Sequence, residues 1–343
     1  MTQNIIVSPS PHINKHHSTQ SIMLNVIIAL TPAMIAAVIF FRLQAVYVTG
    51  TCIITCLISE WLCNCFRKQP NSLGDLSAAV TGIILAFSVP PALPIWAAVI
   101  GSAFAIIIGK MVFGGLGANI FNPAMIGRAF LTASFGMLMT TWTVPATIDK
   151  NMPVMSPANT SVMTQATPLA WSKQAIKTKD VQDESKKVKA SVADGMFKNL
   201  FWGSRGGCIG ETSSLALIIG GLYLIIIGTI TWHVPVAVLL SAFIFSAIPY
   251  LMNDTSYASP VFHLLSGGML IGAFFIATDP VTSPLTKKGQ WIFGIGVGGL
   301  TILIRIIGEY PEGMMFSILL MNSVTPLIEK FCKVVPAGGT PNA

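Results

Sequence analysis

The chain has 343 residues, of which 53% are hydrophobic and only 10% are charged. A soluble domain usually carries about 25% charged residues, so this chain has too little charge to cover a water-exposed surface. The composition excludes an ordinary soluble protein and predicts an integral membrane protein. The net charge of +7 mostly reflects cationic residues that orient the chain in the membrane, so it predicts no nucleic-acid partner.

Apolar runs dominate the chain from residue 22 onward. A helix that crosses about 30 Å of hydrocarbon needs about 20 residues. No cleavage pattern follows the first run, which therefore predicts a retained helix. The sequence predicts an all-α fold with about ten transmembrane helices. These cover residues 22–41, 45–63, 74–90, 93–112, 122–140, 214–230, 233–251, 262–278, 290–307 and 312–330.

Lys and Arg in the short connections set the orientation. With the N-terminus in the cytoplasm, the outer connections hold only Arg42 and Arg305. The inner segments hold Lys15, Arg67, Lys68, Lys110, Lys287, Lys288, Lys330 and Lys333. We therefore expect both termini on the cytoplasmic side of a bacterial inner membrane, in contact with lipid. The long segment 141–213 then lies outside, since long loops are translocated largely regardless of charge.

The ten predicted spans divide into two groups of five around that external segment, in residues 1–140 and 214–343. In each half the third span is short and runs into proline, as "AVTGIILAFSVPPALP" and "MLIGAFFIATDPVTSP". Because five is odd, the two halves would face opposite ways across the membrane. Paired, proline-interrupted spans are typical of an inverted repeat that binds ligands near the breaks. They predict two broken or short helices.

Three polar residues near these breaks are candidate ligand contacts. Asp279, in "ATDPVTSP", is either a helix-terminal carboxylate capped by hydroxyls or a contact to an ion or ligand. Asn119 and Asn122, in "GGLGANIFNPAM", are either helix caps or amides that recognise a planar heterocycle with carbonyl and imide edges. The adjacent glycines permit a close approach of the backbone.

Two further segments carry charge. Arg128 lies inside the helix that follows Asn122 and needs a partner or an aqueous path. In "GCIGETSSLA", Glu211 and Ser213 open the sixth span, either as a capping arrangement or as a site where backbone N–H groups hold an anion. The chain has no dinucleotide fingerprint, P-loop, HExxH or nucleophile elbow, and no metal site is predicted, so it does not resemble a self-sufficient enzyme.

Taken together, several motifs resemble the D subunit of the Rnf-type ion-translocating electron transport complex, and more distantly the B subunit of the sodium-pumping NADH:quinone oxidoreductase. They are "GGLGANIFNPAM", "TTW", "ATPLA", "GETSSLALIIGGLYL", "TDPVTSPLTKKGQWIFG" and "YPEGMMFSILLMNSVTPLIE". The resemblance runs in order from about residue 21 to residue 330.

The resemblance implies two flavins. In this family a flavin transferase esterifies a threonine to the phosphate of FMN, and the matching residue is Thr167, in Thr164-Gln165-Ala166-Thr167. Two positions depart from the usual target: Ser161 replaces an acidic residue and Gln165 replaces Gly or Ser. The family also implies a noncovalent flavin, riboflavin, near the first break, with Asn119, Asn122 and Asp279 as its contacts.

By the same resemblance the chain is a membrane redox subunit without an autonomous activity. It would relay electrons between flavins and iron–sulfur centres of partner subunits in a ferredoxin/NAD oxidoreductase complex that moves Na⁺ or H⁺. The NADH and ferredoxin sites are then expected on other chains, which is consistent with the missing nucleotide motifs. The alternative from the repeat alone is a secondary transporter for a small solute.

Overall fold

The protein is all-α in the residues that its structure, a computed structural model, describes: 18–142, 167–177, 196–203, 206–253, 257–308 and 310–333. The helices are α1 (Thr19–Phe41), α2 (Leu43–Arg67), α3 (Ser77–Phe87), α4 (Ile95–Ile106, continued by a π-helical turn over Ile107–Met111), α5 (Pro123–Ser134), α6 (Gly136–Met139), α7 (Pro168–Lys177), α8 (Met196–Trp202), α9 (Ser214–Ile227), α10 (His233–Met252), α11 (Pro260–Leu265), α12 (Met269–Ile271, continued by a π-helical turn over Gly272–Ile276), α13 (Lys287–Ile307) and α14 (Met314–Phe331).

Each of the ten predicted spans contains a helix, but the helices differ in length. In the described part of the chain, α1, α2, α10 and α13 are long and apolar enough to cross a membrane. The predicted shortness of the third span is confirmed by α3, which has 11 residues, whereas the expected length of about 20 residues is wrong for α5 and α9, which have 12 and 14. At 1.5 Å per residue α3 extends only about 16 Å, half the thickness of the hydrocarbon core. The chain is thus an all-α membrane protein with short helices between its long spans.

The first break follows α3, where the proline pair Pro90-Pro91 prevents the helix from continuing. The segment before α9 covers the backbone that the break exposes. The thiol of Cys208 donates to the carbonyl oxygen of Ser88 at 3.3 Å, and the N–H of Ile209 donates to that of Val89 at 3.1 Å. The start of the sixth predicted span therefore stabilises the break in the third.

The second break separates α11 from α12 and is held by a buried ion pair. Arg305 donates to the carbonyl oxygens of His263 at 2.6 Å and Ser266 at 3.0 Å. It also pairs with Glu312 at 3.2 Å, and the Glu312 carboxylate accepts the N–H of Gly268 at 2.9 Å. The predicted end of the eighth span before its prolines is confirmed, since its helix stops at Ile276, whereas the break at residues 266–268 was not predicted.

The helices pack in the same order in both halves. In the first, α2 packs on α3 and α4, and α4 on α5; in the second, α10 packs on α11 and α13, and α13 on α14. Between the halves α1 packs on α9 and α5 on α14. This recurrence is what an internal repeat of five spans produces. The opposite orientation of the halves and the division at residues 140 and 213 stay predictions.

Gly267 provides a test of the second break, because its φ is +64° and a Cβ there would overlap the Glu312 carboxylate. We expect Gly267→Ala to lower the thermal stability of the purified protein by about 1–3 kcal/mol through backbone strain, with the steric clash adding to it. Gly50→Ala is the matched control, since nothing lies within 4 Å of its added Cβ. Equal stability of the two variants would contradict the role given to Gly267.

Candidate functional site

Two cavities lie beside the broken helices. The first cavity encloses about 720 Å³ of space, counting the part that is open to solvent. Asn119, Asn122 and Asp279 all line it. The structure thus brings together three candidate residues that are up to 160 positions apart in the sequence. The rest of the wall includes Met23, Val26, Ser77, Thr81, Lys110, Thr229, Phe274 and Phe275.

Asn122 fits both readings that the sequence left open. Its side-chain oxygen accepts the N–H of Met125 at 3.3 Å, so it is the N-cap of α5, with Pro123 in the first turn. Its side-chain nitrogen points the other way and lies 3.4 Å from the Asp279 carboxylate. The backbone N–H of Asn122 lies 3.1 Å from the side-chain oxygen of Asn322 on α14, with that amide in its better-paired orientation. The cap is therefore fixed from two sides.

Asn119 has one polar atom that the protein does not satisfy. Its amide nitrogen donates to the carbonyl oxygen of Phe121 at 3.1 Å. Its side-chain oxygen is buried and has no hydrogen-bond partner among the described residues. A buried acceptor without a donor costs about 1–3 kcal/mol. Because Asn119 lines the first cavity, a donor on a bound ligand, such as an imide N–H, would satisfy this oxygen.

Asp279 is held in a turn by three donors. Its carboxylate accepts the N–H of Val281 and the hydroxyl of Thr282, each at 3.2 Å, in addition to the Asn122 amide. Burial raises the pKa of the Asp279 carboxyl, and these hydrogen bonds offset only part of that rise. The capped-carboxylate reading of the sequence is confirmed, and the same carboxylate also lines the first cavity.

An ion pair that the sequence reasoning did not assign lies at the edge of this cavity. Lys110 donates to both carboxylate oxygens of Glu60 at 2.8 Å and to the hydroxyl of Ser77 at 2.6 Å. The two charged side chains are 2% and 0% exposed. The placement of Lys110 in an inner connection is therefore wrong. The signal was a lysine inside the apolar run "IIIGKMVF", where a charge needs a partner.

Both π-helical turns border the first cavity. The turn after α4 supplies Lys110, and the turn after α12 supplies Phe274 and Phe275. Such turns are rare and frequently occur at functional sites, because the extra residue redirects side chains. Here they aim one cation and two aromatic rings at the same space.

The second cavity is smaller, about 360 Å³, and contains Thr167. Arg128, Trp142, Glu211, Gly267 and Glu312 line it as well. It lies against the second break, through Gly267, and against the segment that covers the first break, through Glu211. The two cavities thus adjoin different ends of the broken helices.

Thr167 directly precedes α7 and caps its N-terminus. Its hydroxyl oxygen accepts the N–H of Ala170 at 3.1 Å, the pattern of an N-cap, and Pro168 follows it. It is only 9% exposed. The helix is anchored by Lys173, which donates to the carbonyl oxygen of Tyr310 at 2.6 Å, and by Leu169, which packs with Phe262. Residues 143–166, with Thr164-Gln165-Ala166, lie outside the described part of the chain.

Arg128 has the partner that the sequence called for. Its guanidinium lies 3.9 Å from the Glu211 carboxylate, and both side chains are buried. Ser213 is the N-cap of α9 and accepts the N–H of Ala216 at 3.3 Å. The capping reading of this segment is therefore confirmed for Ser213, whereas Glu211 faces the second cavity.

The candidate residues that line one cavity are also predicted to lie on one side of the membrane. Asn119, Asn122 and Asp279 were placed at inner span ends, and they share the first cavity. Thr167 and Glu211 were placed outside, and they share the second. The assignment of these sides to the cytoplasm and the exterior stays a prediction, as do the ligand roles of Asn119, Asn122, Asp279 and Thr167.

Comparison with known proteins identifies the family. Residues 6–338 match the NQR2, RnfD, RnfE family. The chain is 45% identical over 333 residues to the D subunit of the Na(+)-translocating ferredoxin:NAD(+) oxidoreductase complex of Acetobacterium woodii, covering 96% of this chain and 94% of that protein.

Two further relatives are similar over almost their whole length. The D subunit of the proton-translocating ferredoxin:NAD(+) oxidoreductase complex of Clostridium ljungdahlii is 43% identical, with 97% and 96% coverage. The D subunit of the ion-translocating oxidoreductase complex of Pectobacterium carotovorum is 38% identical, with 95% and 97% coverage. Because the match spans nearly the entire chain, this membrane protein belongs to the NQR2, RnfD, RnfE family, in which it resembles the D subunits.

Proposed function

We propose that this chain is the D-type subunit of an ion-translocating ferredoxin:NAD oxidoreductase complex and that it relays electrons through two flavins. FMN is joined by a phosphoester to Thr167, and riboflavin binds noncovalently in the first cavity. The flavins supply the redox chemistry, while the protein supplies position and electrostatics. The observation that carries the proposal is the pair of cavities beside the helix breaks, each lined by the residues that the family motif indicates.

The first cavity suits a flavin because its walls hold partners for the polar edge of the flavin ring. A flavin carries an imide N–H between two carbonyl oxygens. The unpaired side-chain oxygen of Asn119 is an acceptor for such a donor. The side-chain nitrogen of Asn122 is a donor, held in place because its own oxygen caps α5. Phe274 and Phe275 provide apolar wall. These residues bind and orient the ring.

Asp279 has a positioning role in this arrangement. Its carboxylate lies 3.4 Å from the Asn122 amide and is itself held by Val281 and Thr282. With its pKa raised by burial, the carboxyl of Asp279 is also a group that can take up a proton beside the cavity. It would offset negative charge that arrives with electrons in the ring, which is costly in a low-dielectric site.

Thr167 suits covalent attachment because a phosphoester uses the ribityl phosphate and leaves the ring free. The attachment also retains the cofactor on the external side. Maturation then requires a flavin transferase, and the redox partners are flavin and iron–sulfur subunits of the same complex.

The coupling ion is not fixed by similarity. The relatives named for sodium and for protons are 45% and 43% identical to this chain. We propose only that electron flow through the whole complex drives Na⁺ or H⁺ across the membrane. A transporter for a small solute is the weaker candidate, since the three relatives above are oxidoreductase subunits.

The first cavity is tested by Asn122→Ala. We expect loss of most of the noncovalent flavin from the purified complex, because an unpaired polar edge of a buried ligand costs about 1–3 kcal/mol. Flavin released by denaturation is quantified separately from flavin that stays with the chain. Asn122→Ser is the matched control for folding, since Ser also caps helices but lacks the amide. Unchanged release from both variants would return Asn122 to a purely structural role.

Covalent attachment is tested by Thr167→Asn. Because asparagine is as good an N-cap as threonine, α7 should stay in place, while the acceptor hydroxyl is lost. Intact mass should show FMN on the original chain and none on the variant, and in-gel fluorescence of the denatured chain should disappear. Ferredoxin-dependent NAD reduction by the assembled complex should fall to background, since a missing carrier has no substitute.

Three controls accompany that variant. Thr167→Ser keeps a hydroxyl and should keep covalent FMN. Ser172→Ala removes a neighbouring buried hydroxyl, which bonds to the carbonyl oxygen of Leu169, and should change neither mass nor activity. Thr164→Ala keeps the acceptor and alters only its recognition, so labelling should be partial. Covalent FMN on the Thr167→Asn chain would place the attachment elsewhere and refute the proposal at this site.

A further inference from the structure

Arg128 lies in the wall of the second cavity, in the same space as Thr167. It is on the second turn of α5 and is 7% exposed. Arg128 belongs to α5, and the first residue of that helix, Pro123, lines the first cavity. A guanidinium in such a place needs hydrogen-bond acceptors, because a buried charge is expensive unless it is paired.

The partners that Arg128 has are few and distant. A guanidinium carries five N–H donors. Within the described residues, only the Nη2 nitrogen has polar contacts, 3.7 Å to the Cys208 sulfur and 3.9 Å to the Glu211 carboxylate. The Nε and Nη1 nitrogens make no hydrogen bond to any described residue. Ideal charge-assisted bonds to oxygen are about 2.7–2.9 Å long. The site is therefore short of acceptor oxygens.

The other carboxylate in the cavity is already engaged. Glu312 accepts the backbone N–H groups of Gly268 and Met314 and pairs with Arg305. It holds the second break and is not redirected to Arg128 without releasing that backbone. The acceptors for the remaining N–H groups of Arg128 are therefore water or a group bound in the cavity.

An independent feature favours an anion at the same place. α7 has ten residues and begins just after Thr167, so its N-terminus borders the cavity that Arg128 lines, through Pro168, which has no N–H, and Leu169, which has one. The partial positive charge of a helix N-terminus favours phosphate. The helix end and the guanidinium belong to different segments of the chain, and both border the cavity that contains Thr167.

We propose that Arg128, together with the N-terminus of α7, binds the phosphate of the group esterified to Thr167. The inference rests on the proposed attachment of FMN. Arginine suits this role because its planar fork binds two phosphate oxygens at once, which a lysine cannot do. The phosphodiester carries one negative charge and supplies the acceptor oxygens that the guanidinium lacks. Arg128 is thus a positioning residue that fixes the flavin tether against the helix breaks.

The test is a double-mutant cycle on the assembled complex, with Arg128→Met, Thr167→Asn and the double variant. Intact mass gives the FMN content, and the thermal midpoint gives stability. Loss of the Glu211 contact is common to both backgrounds and cancels in the cycle. Arg128→Lys is the conservative variant, and Lys198→Met, at an exposed lysine of α8, is the control for loss of a cation.

The proposal predicts that Arg128→Met keeps FMN on the chain and lowers the thermal midpoint. In the Thr167→Asn background the same change should lower the midpoint less, because only the Glu211 contact is then lost and no phosphate contact. The two shifts should differ by about 4 °C or more. Arg128→Lys should recover part of the loss, and Lys198→Met should shift the midpoint equally in both backgrounds.

Two outcomes would overturn the inference, and they are distinguishable. Equal shifts for Arg128→Met in both backgrounds, with FMN present on the original chain, would refute the phosphate contact and leave the attachment intact. Absence of FMN from the original chain would refute the attachment and the phosphate contact together.

Discussion

The fold depends on satisfying backbone polar groups where helices stop inside the membrane. Hydrocarbon offers no hydrogen bonds, so irregular backbone is tolerated only where protein or water supplies partners. Two breaks, after Phe87 and at residues 266–268, create that demand. At the first break, Cys208 and Ile209 donate hydrogen bonds to the free backbone carbonyls. At the second, Arg305 donates to backbone carbonyls and Glu312 accepts a backbone N–H. The surrounding helices pack around these two sets of hydrogen bonds.

Buried cations also hold the short and broken helices of this apolar protein in place. Lys110, at the end of α4, donates to Ser77 at the start of α3, and Arg305, near the end of α13, donates to backbone carbonyls after α11. The two cations occupy corresponding places in the two halves, and each tethers a broken helix. Each also has a carboxylate partner, without which its burial would cost several kcal/mol. The repeat thus extends from helix order to the chemistry that holds the breaks.

Sequence patterns predicted the spans because a membrane imposes a length and composition that a single stretch reveals. They also selected Asn119, Asn122 and Asp279, since polar residues beside proline and glycine stand out in apolar sequence. Sequence patterns could not predict which side chains pair between distant helices. Glu60 meets Lys110, and Arg128 meets Glu211, only through tertiary packing. The N-cap role of Thr167 was hidden as well, because a Thr-Pro in a polar segment is equally typical of a turn.

The burial of Thr167 bears on the order of events during biogenesis. The residue is 9% exposed, and its hydroxyl already accepts the N–H of Ala170, beneath a helix that packs on α13. In the docked helix this hydroxyl presents little surface to another protein. If Thr167 is esterified as proposed, the flavin transferase would act before α7 docks. Docking of α7 would then cover the attached group and complete the assembly of the subunit.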